Sequence, residues 1–98
     1  MAQFDVHILP DGTMVINLQS DLLSGYPTTL VAPLLPEDEL PVGRSRMHPM
    51  FQIDGQRLLL APQLVSAVSS RSLGRVKASL GDHDYVIKGA LDMVLSGY

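Results

Sequence analysis

Histidine is the residue type in this sequence best suited to acid–base or metal chemistry, and the chain has three: His7, His48 and His83. A metal site needs ligands at characteristic spacings, and a nucleophilic triad needs a histidine set beside a serine and an acid. These histidines are far apart and match neither pattern. We therefore expect surface or hairpin histidines, with no catalytic residue, no metal ligand and no cofactor.

Acidic residues are the second candidates for chemistry. Asp82 and Asp84 are two residues apart and could form a pair of carboxylates for acid–base catalysis, but acids in the first turn of a helix are also favoured by the helix dipole. The run Glu37–Glu39 could bind a cation, although a solvated acidic loop explains it better. Nothing here indicates catalysis, so the protein is expected not to be an enzyme.

The composition favours one compact domain over residues 1–98, because 46% of the 98 residues are hydrophobic and only 17% are charged. A core of this size is modest, and a homodimer would cover further apolar surface. The net charge is −3, which disfavours direct binding to nucleic acid. The seven basic residues are scattered along the chain: Arg44, Arg46, Arg57, Arg71, Arg75, Lys77 and Lys88.

Two absences bear on location. The chain has no cysteine, which excludes a disulfide framework and fits a reducing compartment. Its first residues, MAQFDVHILPDG, lack the basic start and apolar run of a signal peptide, and no stretch approaches the roughly 18 to 20 apolar residues of a membrane span. A cytoplasmic protein that does not bind membranes is expected.

Short strands dominate the first two thirds of the chain. Apolar and polar residues alternate over 3–9 and 13–20, on either side of Pro10-Asp11-Gly12, and this pattern predicts a hairpin. A third strand over 28–35 contains Pro33, which favours an edge or a bend. Strands over 47–54 and 57–64 flank Asp54-Gly55, a strong hairpin signal. Residues 65–73 are left open as a loop or a short strand.

A C-terminal helix completes the architecture. Asp82 can cap the start of this helix, and Gly97 suits the left-handed conformation at its end. Its apolar stripe consists of Ile87, Ala90 or Leu91, and Val94. The fold class is therefore mainly β with one C-terminal α-helix, as a small antiparallel β-barrel or pair of sheets.

Several motifs together resemble the CcdB family of bacterial toxin–antitoxin toxins. The most specific is Leu18-Gln19-Ser20-Asp21-Leu22-Leu23, where an aliphatic pair follows Gln-Ser-Asp. Further matches are Phe4, the stretch Leu30–Leu34, the hairpin Phe51–Gly55, and a last helix that closes on Gly97 and one hydrophobic residue. The resemblance spans the whole chain. It implies a homodimeric SH3-like barrel that binds the DNA gyrase A subunit, traps the covalent gyrase–DNA cleavage complex and is removed by a disordered antitoxin segment.

The resemblance also assigns positions to two partners, all of them as contact residues. By this resemblance, six residues would face gyrase. Leu22 and Leu23 match the aliphatic pair, and Asp92 matches a polar residue of the last helix. The terminal tripeptide of the family is matched by Ser96, Gly97 and Tyr98. The turn Pro10, Asp11 and Gly12, with Arg44 and Arg46, lies where the family binds its antitoxin. Arginines beside an apolar strand would suit an acidic peptide that folds on binding.

One departure from the family pattern keeps other functions open. The family has tryptophan before the terminal glycine and isoleucine after it, where this chain has Ser96 and Tyr98. Losing a large aromatic anchor from an interface costs several kcal/mol. The alternatives are a non-toxic or retargeted CcdB-like interaction module and, less favoured, a MazF- or Kid-like endoribonuclease, which would need a basic groove and a positioned acid–base group.

Overall fold

The computed structural model of the chain describes residues 2–40 and 45–97. It contains seven strands: β1 (Asp5–Ile8), β2 (Met14–Asn17), β3 (Thr28–Pro36), β4 (Met50–Ile53), β5 (Gln56–Leu60), β6 (Ser66–Ser69) and β7 (Val76–Ser79). One helix, α1 (Asp84–Ser96), follows them. Short 3₁₀ turns connect these elements at Asp21–Leu23, Glu37–Glu39, Pro62–Leu64, Ser70–Ser72 and Gly81–His83.

All the strand pairs are antiparallel, and the order across the sheet is β4-β5-β3-β2-β1-β7, with β6 also paired to β3. The sheet curves into a half-barrel whose interior is filled by apolar side chains and covered by α1. This arrangement confirms the predicted mainly-β fold, a small antiparallel barrel with one C-terminal helix. Both predicted hairpins, β1–β2 and β4–β5, are present.

The long strand β3 organises the sheet because it has partners along both edges. Its first half pairs with β6, its middle with β2 and its end with β5. Pro33 is paired with Val15 of β2, at the point where pairing changes from β6 to β5. The expectation of an edge position is therefore wrong. Since proline has no N–H to donate, it fits the junction between two partner strands.

Alternation correctly predicts which residues face the interior. Phe4, Val6, Ile16 and Leu18 lie in the main core cluster, together with side chains from the other strands and from α1. Further members are Ala32, Leu34, Phe51, Ile53, Leu58, Leu60, Leu80, Ile87 and Ala90. A smaller cluster of Val15, Val31 and Leu73 lies on the opposite face of the sheet, so the β1–β2 hairpin has buried residues on both of its faces.

Helix α1 begins later than predicted. Asp82 lies in the preceding 3₁₀ turn, and the residue at the N-cap is His83, which makes no side-chain capping hydrogen bond. The cap prediction for Asp82 is therefore wrong. Ile87 and Ala90 are buried, and Gly97 ends the helix with a φ of 81°, donating its N–H to the Met93 carbonyl oxygen at 3.0 Å. Among the described residues, no helix has the length and apolar character needed to cross a membrane.

Candidate functional site

The C-terminal turn of α1 presents most of the predicted gyrase-facing residues. Asp92, Ser96 and Gly97 are exposed, and Leu95 between them leaves 80% of its surface accessible. Because Gly97 turns the backbone out of the helix, Leu95 and Ser96 lie on an open helix end. Tyr98 lies outside the described residues. Leu95, missing from the predicted contact set, is the most exposed large apolar residue of this helix end.

The aliphatic pair Leu22 and Leu23 lies in the 3₁₀ turn Asp21–Leu23. Ser20 caps this turn by accepting the Leu22 N–H at 3.2 Å, and Leu22 is 92% exposed. Local hydrogen bonds thus hold Leu22 out in solvent instead of in the core. Leu23 lines a small pocket with the end of β2, whereas α1 packs against the Pro62–Leu64 turn. Leu23 and Asp92 therefore line different pockets within one chain.

The predicted antitoxin turn, Pro10, Asp11 and Gly12, is exposed and is held by local hydrogen bonds. Asp11 Oδ1 accepts the Thr13 N–H at 2.9 Å, and Gly12, at a φ of 91°, donates its N–H to the Leu9 carbonyl oxygen at 2.8 Å. Hydrogen bonds from Thr13 hold the pKa of the Asp11 carboxyl below its usual range. Asp11 therefore carries its negative charge at neutral pH.

Asp11 and Gly12 also line a cleft of about 370 Å³ beside the ends of β3 and β5. Leu34, Leu35 and Leu58 contribute apolar walls, and Glu39 supplies a second carboxylate. Arg46 lies elsewhere, and Arg44 lies outside the described residues. The predicted antitoxin residues Asp11 and Gly12 thus line one cleft, which is acidic, and Arg46 lines another.

Arg46 lines a different cleft, of about 620 Å³, along the exposed side of α1. Its Nε lies 4.0 Å from the position that a Cβ on Gly89 would take, so the arginine side chain lies against the helix at ordinary contact distance. Tyr85 and Asp92 line the same cleft. The structure therefore brings Arg46 and Asp92 together, although the sequence resemblance assigns them to different partners.

Basic residues are less scattered than they first look. Residues 55–81 contain four cations and no acid, whereas residues 1–43 contain six acids and no lysine or arginine. Two of the four cations, Arg75 and Lys77, line a cleft of about 440 Å³ with Ile8 and Val76, at the outer strand β7. This cleft was missed by sequence reasoning, although the one-sided charge of residues 55–81 could have indicated it.

The expectation of surface or hairpin histidines holds for the exposure of His83 but not for that of His7 and His48. His7 and His48 are buried, and each places Nδ1 near a backbone carbonyl oxygen, that of Gly74 at 2.9 Å and that of Leu60 at 3.1 Å. Since a carbonyl only accepts, the proton in each pair lies on Nδ1. His7 Nε2 is buried without a hydrogen-bond partner in the part of the chain that the structure describes. His83 is exposed, as predicted.

Of the acidic residues considered for chemistry, Asp84 has a basic partner. Asp84 lies 3.7 Å from Lys88, one helical turn away, and Glu37–Glu39 form a 3₁₀ turn. Within residues 2–40 and 45–97, no group of three or more histidine or acidic residues could hold a metal ion.

A family comparison decides the classification. The model of the family described as CcdB protein matches residues 3–97. The chain belongs to the CcdB family. The recognition made from the Leu18–Leu23 motif is thereby confirmed. A comparison with curated proteins found no significant match.

Solved structures add information about the fold. The Mycobacterium tuberculosis toxin MazF-mt6 superposes with a TM-score of 0.75 at 15% identity, covering 93% of this chain and 95% of that one. An endoribonuclease from a mycobacterial species, solved in complex with its cognate antitoxin, gives 0.78 at 9% identity, covering 97% and 94%. A further mycobacterial endoribonuclease gives 0.74 at 10% identity, covering 97% and 90%.

These neighbours contradict the expectation that the protein is not an enzyme. That expectation rested on the absence of a recognisable triad or metal spacing, yet proteins with the same fold are named endoribonucleases. Catalytic groups distant in sequence can meet only in the fold, so one-dimensional spacing gives no ground for excluding catalysis.

Proposed function

We propose that the protein is the toxin of a toxin–antitoxin system, that it acts as a homodimer, and that it binds the A subunit of DNA gyrase and traps the covalent gyrase–DNA cleavage complex. The observation that carries this proposal is the CcdB family match over residues 3–97. A cognate antitoxin segment neutralises the toxin. The neighbour solved with its cognate antitoxin supports this part of the proposal.

The open end of α1 is the proposed gyrase contact. Leu95 supplies apolar area, and Asp92 and Ser96 supply polar groups beside it. An exposed leucine at a helix end can enter a pocket of a partner without any change in the toxin core, and such central apolar anchors carry much of the binding energy of an interface. Leu22 and Leu23 form a second contact, on a different surface of the chain from the helix end. A dimer would present this contact twice.

The test is a supercoiling and DNA-cleavage assay with purified gyrase. Wild-type protein is expected to accumulate cleaved DNA, and Leu95→Ser is expected to raise the concentration required by at least about tenfold, because a contact side chain of this kind is worth about 2 kcal/mol. Tyr85→Ser is the matched control. Tyr85 is 88% exposed at the other end of the same helix, so this variant should behave as wild type.

Two results would overturn the gyrase proposal. One is the absence of cleaved DNA at toxin concentrations well above those of gyrase. The other is an equal loss of activity in Leu95→Ser and Tyr85→Ser, which would indicate a general effect on the helix. Circular dichroism of each variant confirms that both fold.

A second candidate function is RNA cleavage, favoured by the cation-rich, acid-free segment 55–81. A phosphodiester backbone is attracted by such a segment whatever its sequence. The same preparations are therefore incubated with a long single-stranded RNA and analysed on a denaturing gel. Cleavage that survives Leu95→Ser but weakens in Arg75→Glu would support the ribonuclease. Intact RNA together with cleaved DNA would leave gyrase as the target.

A further inference from the structure

Two clefts of opposite charge flank the end of the β1–β2 hairpin. The acidic cleft contains Asp11 and Glu39, and the basic cleft contains Arg75 and Lys77. They adjoin the same cross-strand pair, because Ile8 of β1 lines the basic cleft and its partner Met14 of β2 lines the acidic one. A chain that crosses this pair passes directly from one cleft to the other.

On the acidic side, both lining charges are negative. Asp11 is kept ionised by its hydrogen bonds from Thr13, and Glu39 is an exposed residue of the Glu37–Glu39 turn. Gln56, Leu34 and Leu58 line the same cleft without adding a charge. The cleft therefore favours a lysine or arginine of a partner, and it disfavours the acidic peptide that Arg44 and Arg46 were expected to bind.

On the basic side, Arg75 is the cation that can meet a ligand. Lys77 Nζ already lies 2.5 Å from the Asp54 carboxylate, whereas Arg75 has no acidic partner within 4.0 Å among residues 2–40 and 45–97. An arginine presents a planar set of donors that matches a carboxylate. The basic cleft therefore favours an aspartate or glutamate of the partner.

Apolar surface connects the two clefts. Ile8 is 40% exposed and Val76 is 49% exposed, while Met14 is half-buried against the core. Paired strands lie about 5 Å apart, so about three to four extended residues, at roughly 3.3 Å each, are enough to cross the hairpin. An aliphatic side chain at the middle of such a segment would cover Ile8 and Met14.

We propose that this hairpin end binds an extended antitoxin segment whose charges are separated in the order acidic, aliphatic, basic, with the acidic end at Arg75 and the basic end at Asp11 and Glu39. The inference rests on the proposed toxin–antitoxin function. The proposed segment differs from a uniformly acidic peptide, which would be repelled by Asp11 and Glu39.

Edge protection explains part of this surface but not all of it. Strand β7 lies at the outer edge of the sheet, and its pairing with β1 shifts register between Val6 and His7. A lysine and a bulge on an edge strand discourage pairing with other chains. Those features account for Lys77, but edge protection does not require Arg75 opposite two acids across the hairpin.

The probes are two labelled peptides with the same composition. The separated peptide reads Glu-Glu-Val-Leu-Val-Lys-Lys, and the mixed peptide reads Glu-Lys-Val-Leu-Val-Glu-Lys. Binding to the full-length protein is measured by fluorescence anisotropy at low salt. The separated peptide is expected to bind about five to ten times more tightly, since it places like charges together at each end beside the opposite charge of the cleft, and this preference should fade as salt is added.

Charge-reversal variants test the direction of the site. Arg75→Glu alone, and Asp11→Asn combined with Glu39→Lys, should each remove the preference for the separated peptide. Asparagine keeps the oxygen that accepts the Thr13 N–H, so the turn is retained. Combining all three changes inverts the site, and the preference should return because a linear peptide can bind in the opposite direction. Arg71→Glu and Asp82→Lys are the controls, exposed charges outside both clefts.

Equal binding of the two peptides, or no recovery in the inverted variant, would overturn the inference. So would a short RNA that displaces the separated peptide and binds Arg75 more tightly, since the basic cleft would then serve nucleic acid. None of these results depends on gyrase. A gyrase-poisoning protein without peptide preference would refute the inference alone, and a peptide preference without gyrase poisoning would refute the target alone.

Discussion

At the scale of single residues, His7 shows where pattern reasoning fails. The alternation correctly marks Phe4 and Val6 as core residues, although Ile8 is 40% exposed, and it predicts the solvent face for His7. In the structure the segment that contains Leu73 and Gly74 covers that second face and buries His7 completely. A strand read alone carries no information about a distant segment that packs over it.

His7 also yields a stability prediction. His7→Leu is expected to raise the free energy of unfolding by about 1 kcal/mol. Removing the unpartnered Nε2 relieves a penalty of about 1 to 3 kcal/mol, whereas the lost hydrogen bond to Gly74 contributes about 0.5 to 1.5 kcal/mol. Gly74 is exposed, so its carbonyl can bond to water instead. Urea unfolding followed by circular dichroism measures the change.

The same substitution at the other buried histidine is the control. His48 lies 3.1 Å from the carbonyl oxygen of Leu60, a fully buried residue, and His48→Leu is expected to lower stability. Changes of the same sign in both variants would contradict the assignment of an unpartnered nitrogen to His7.

Asp11 provides a prediction about pH. Hydrogen bonds from Thr13 lower the pKa of the Asp11 carboxyl in the folded state. These bonds therefore stabilise the folded turn at pH values above the unfolded-state pKa. The stabilisation is lost as the pH falls through the folded-state pKa. Thr13→Val removes the hydroxyl donor and should move the Asp11 pKa back towards its usual value, as followed by NMR titration. An unchanged pKa in this variant would show that the backbone N–H alone accounts for the shift.

At the scale of elements, the sequence predicts a strand or turn correctly where the residues that determine it are neighbours in the chain. Asp54-Gly55 predicted the β4–β5 hairpin because two residues with positive φ define its turn, 52° and 78°. Strands β6 and β7 carry weak patterns and are mostly exposed, and they are strands because β3 and β1 pair with them. The sequence left residues 65–73 open and assigned nothing to β7, since pairing partners lie far away along the chain.

The β4–β5 turn leads to a prediction about stability. Gly55→Ala is expected to lower the free energy of unfolding by about 1 to 2 kcal/mol, because its φ of 78° is costly for any residue with a Cβ. Gly74→Ala is the matched control. A Cβ there would meet its nearest neighbour at an ordinary 3.6 Å without a positive φ, so thermal unfolding should change little. Equal destabilisation by both variants would contradict the turn assignment.

At the scale of the whole molecule, the sequence predicted fold and family better than the arrangement of the site. The barrel is predictable because the sequence indicates hairpins and a helix whose apolar faces must be buried against one another. Which residues meet across it does not follow, as the shared cleft of Arg46 and Asp92 shows. The sequence shows which residues are charged, but it does not show which charges lie near each other. The pairing of Ile8 with Met14 brings the clefts beside residues 11 and 75 into one surface.

Exposed apolar side chains argue for the homodimer at this same scale. Leu30, Leu64 and Val65 are each at least one third exposed, in addition to Leu22 and Leu95. Apolar surface of this kind often marks an interface in a small protein. We therefore expect a dimer by analytical ultracentrifugation and a melting temperature that rises with protein concentration. A monomer with a concentration-independent melting temperature would contradict the dimer.

The dimer and target surfaces should be separable by one substitution each. Leu95 must remain accessible for a gyrase contact, so Leu95→Ser should leave the sedimentation of the dimer unchanged while it weakens DNA cleavage. Leu30 lies on β3 opposite Ala67 of β6, where a second copy could cover both. Leu30→Asp should shift the protein towards monomer, because a charge buried in an apolar interface is costly. Dissociation by Leu95→Ser instead would place the helix end inside the dimer and remove it from the target surface.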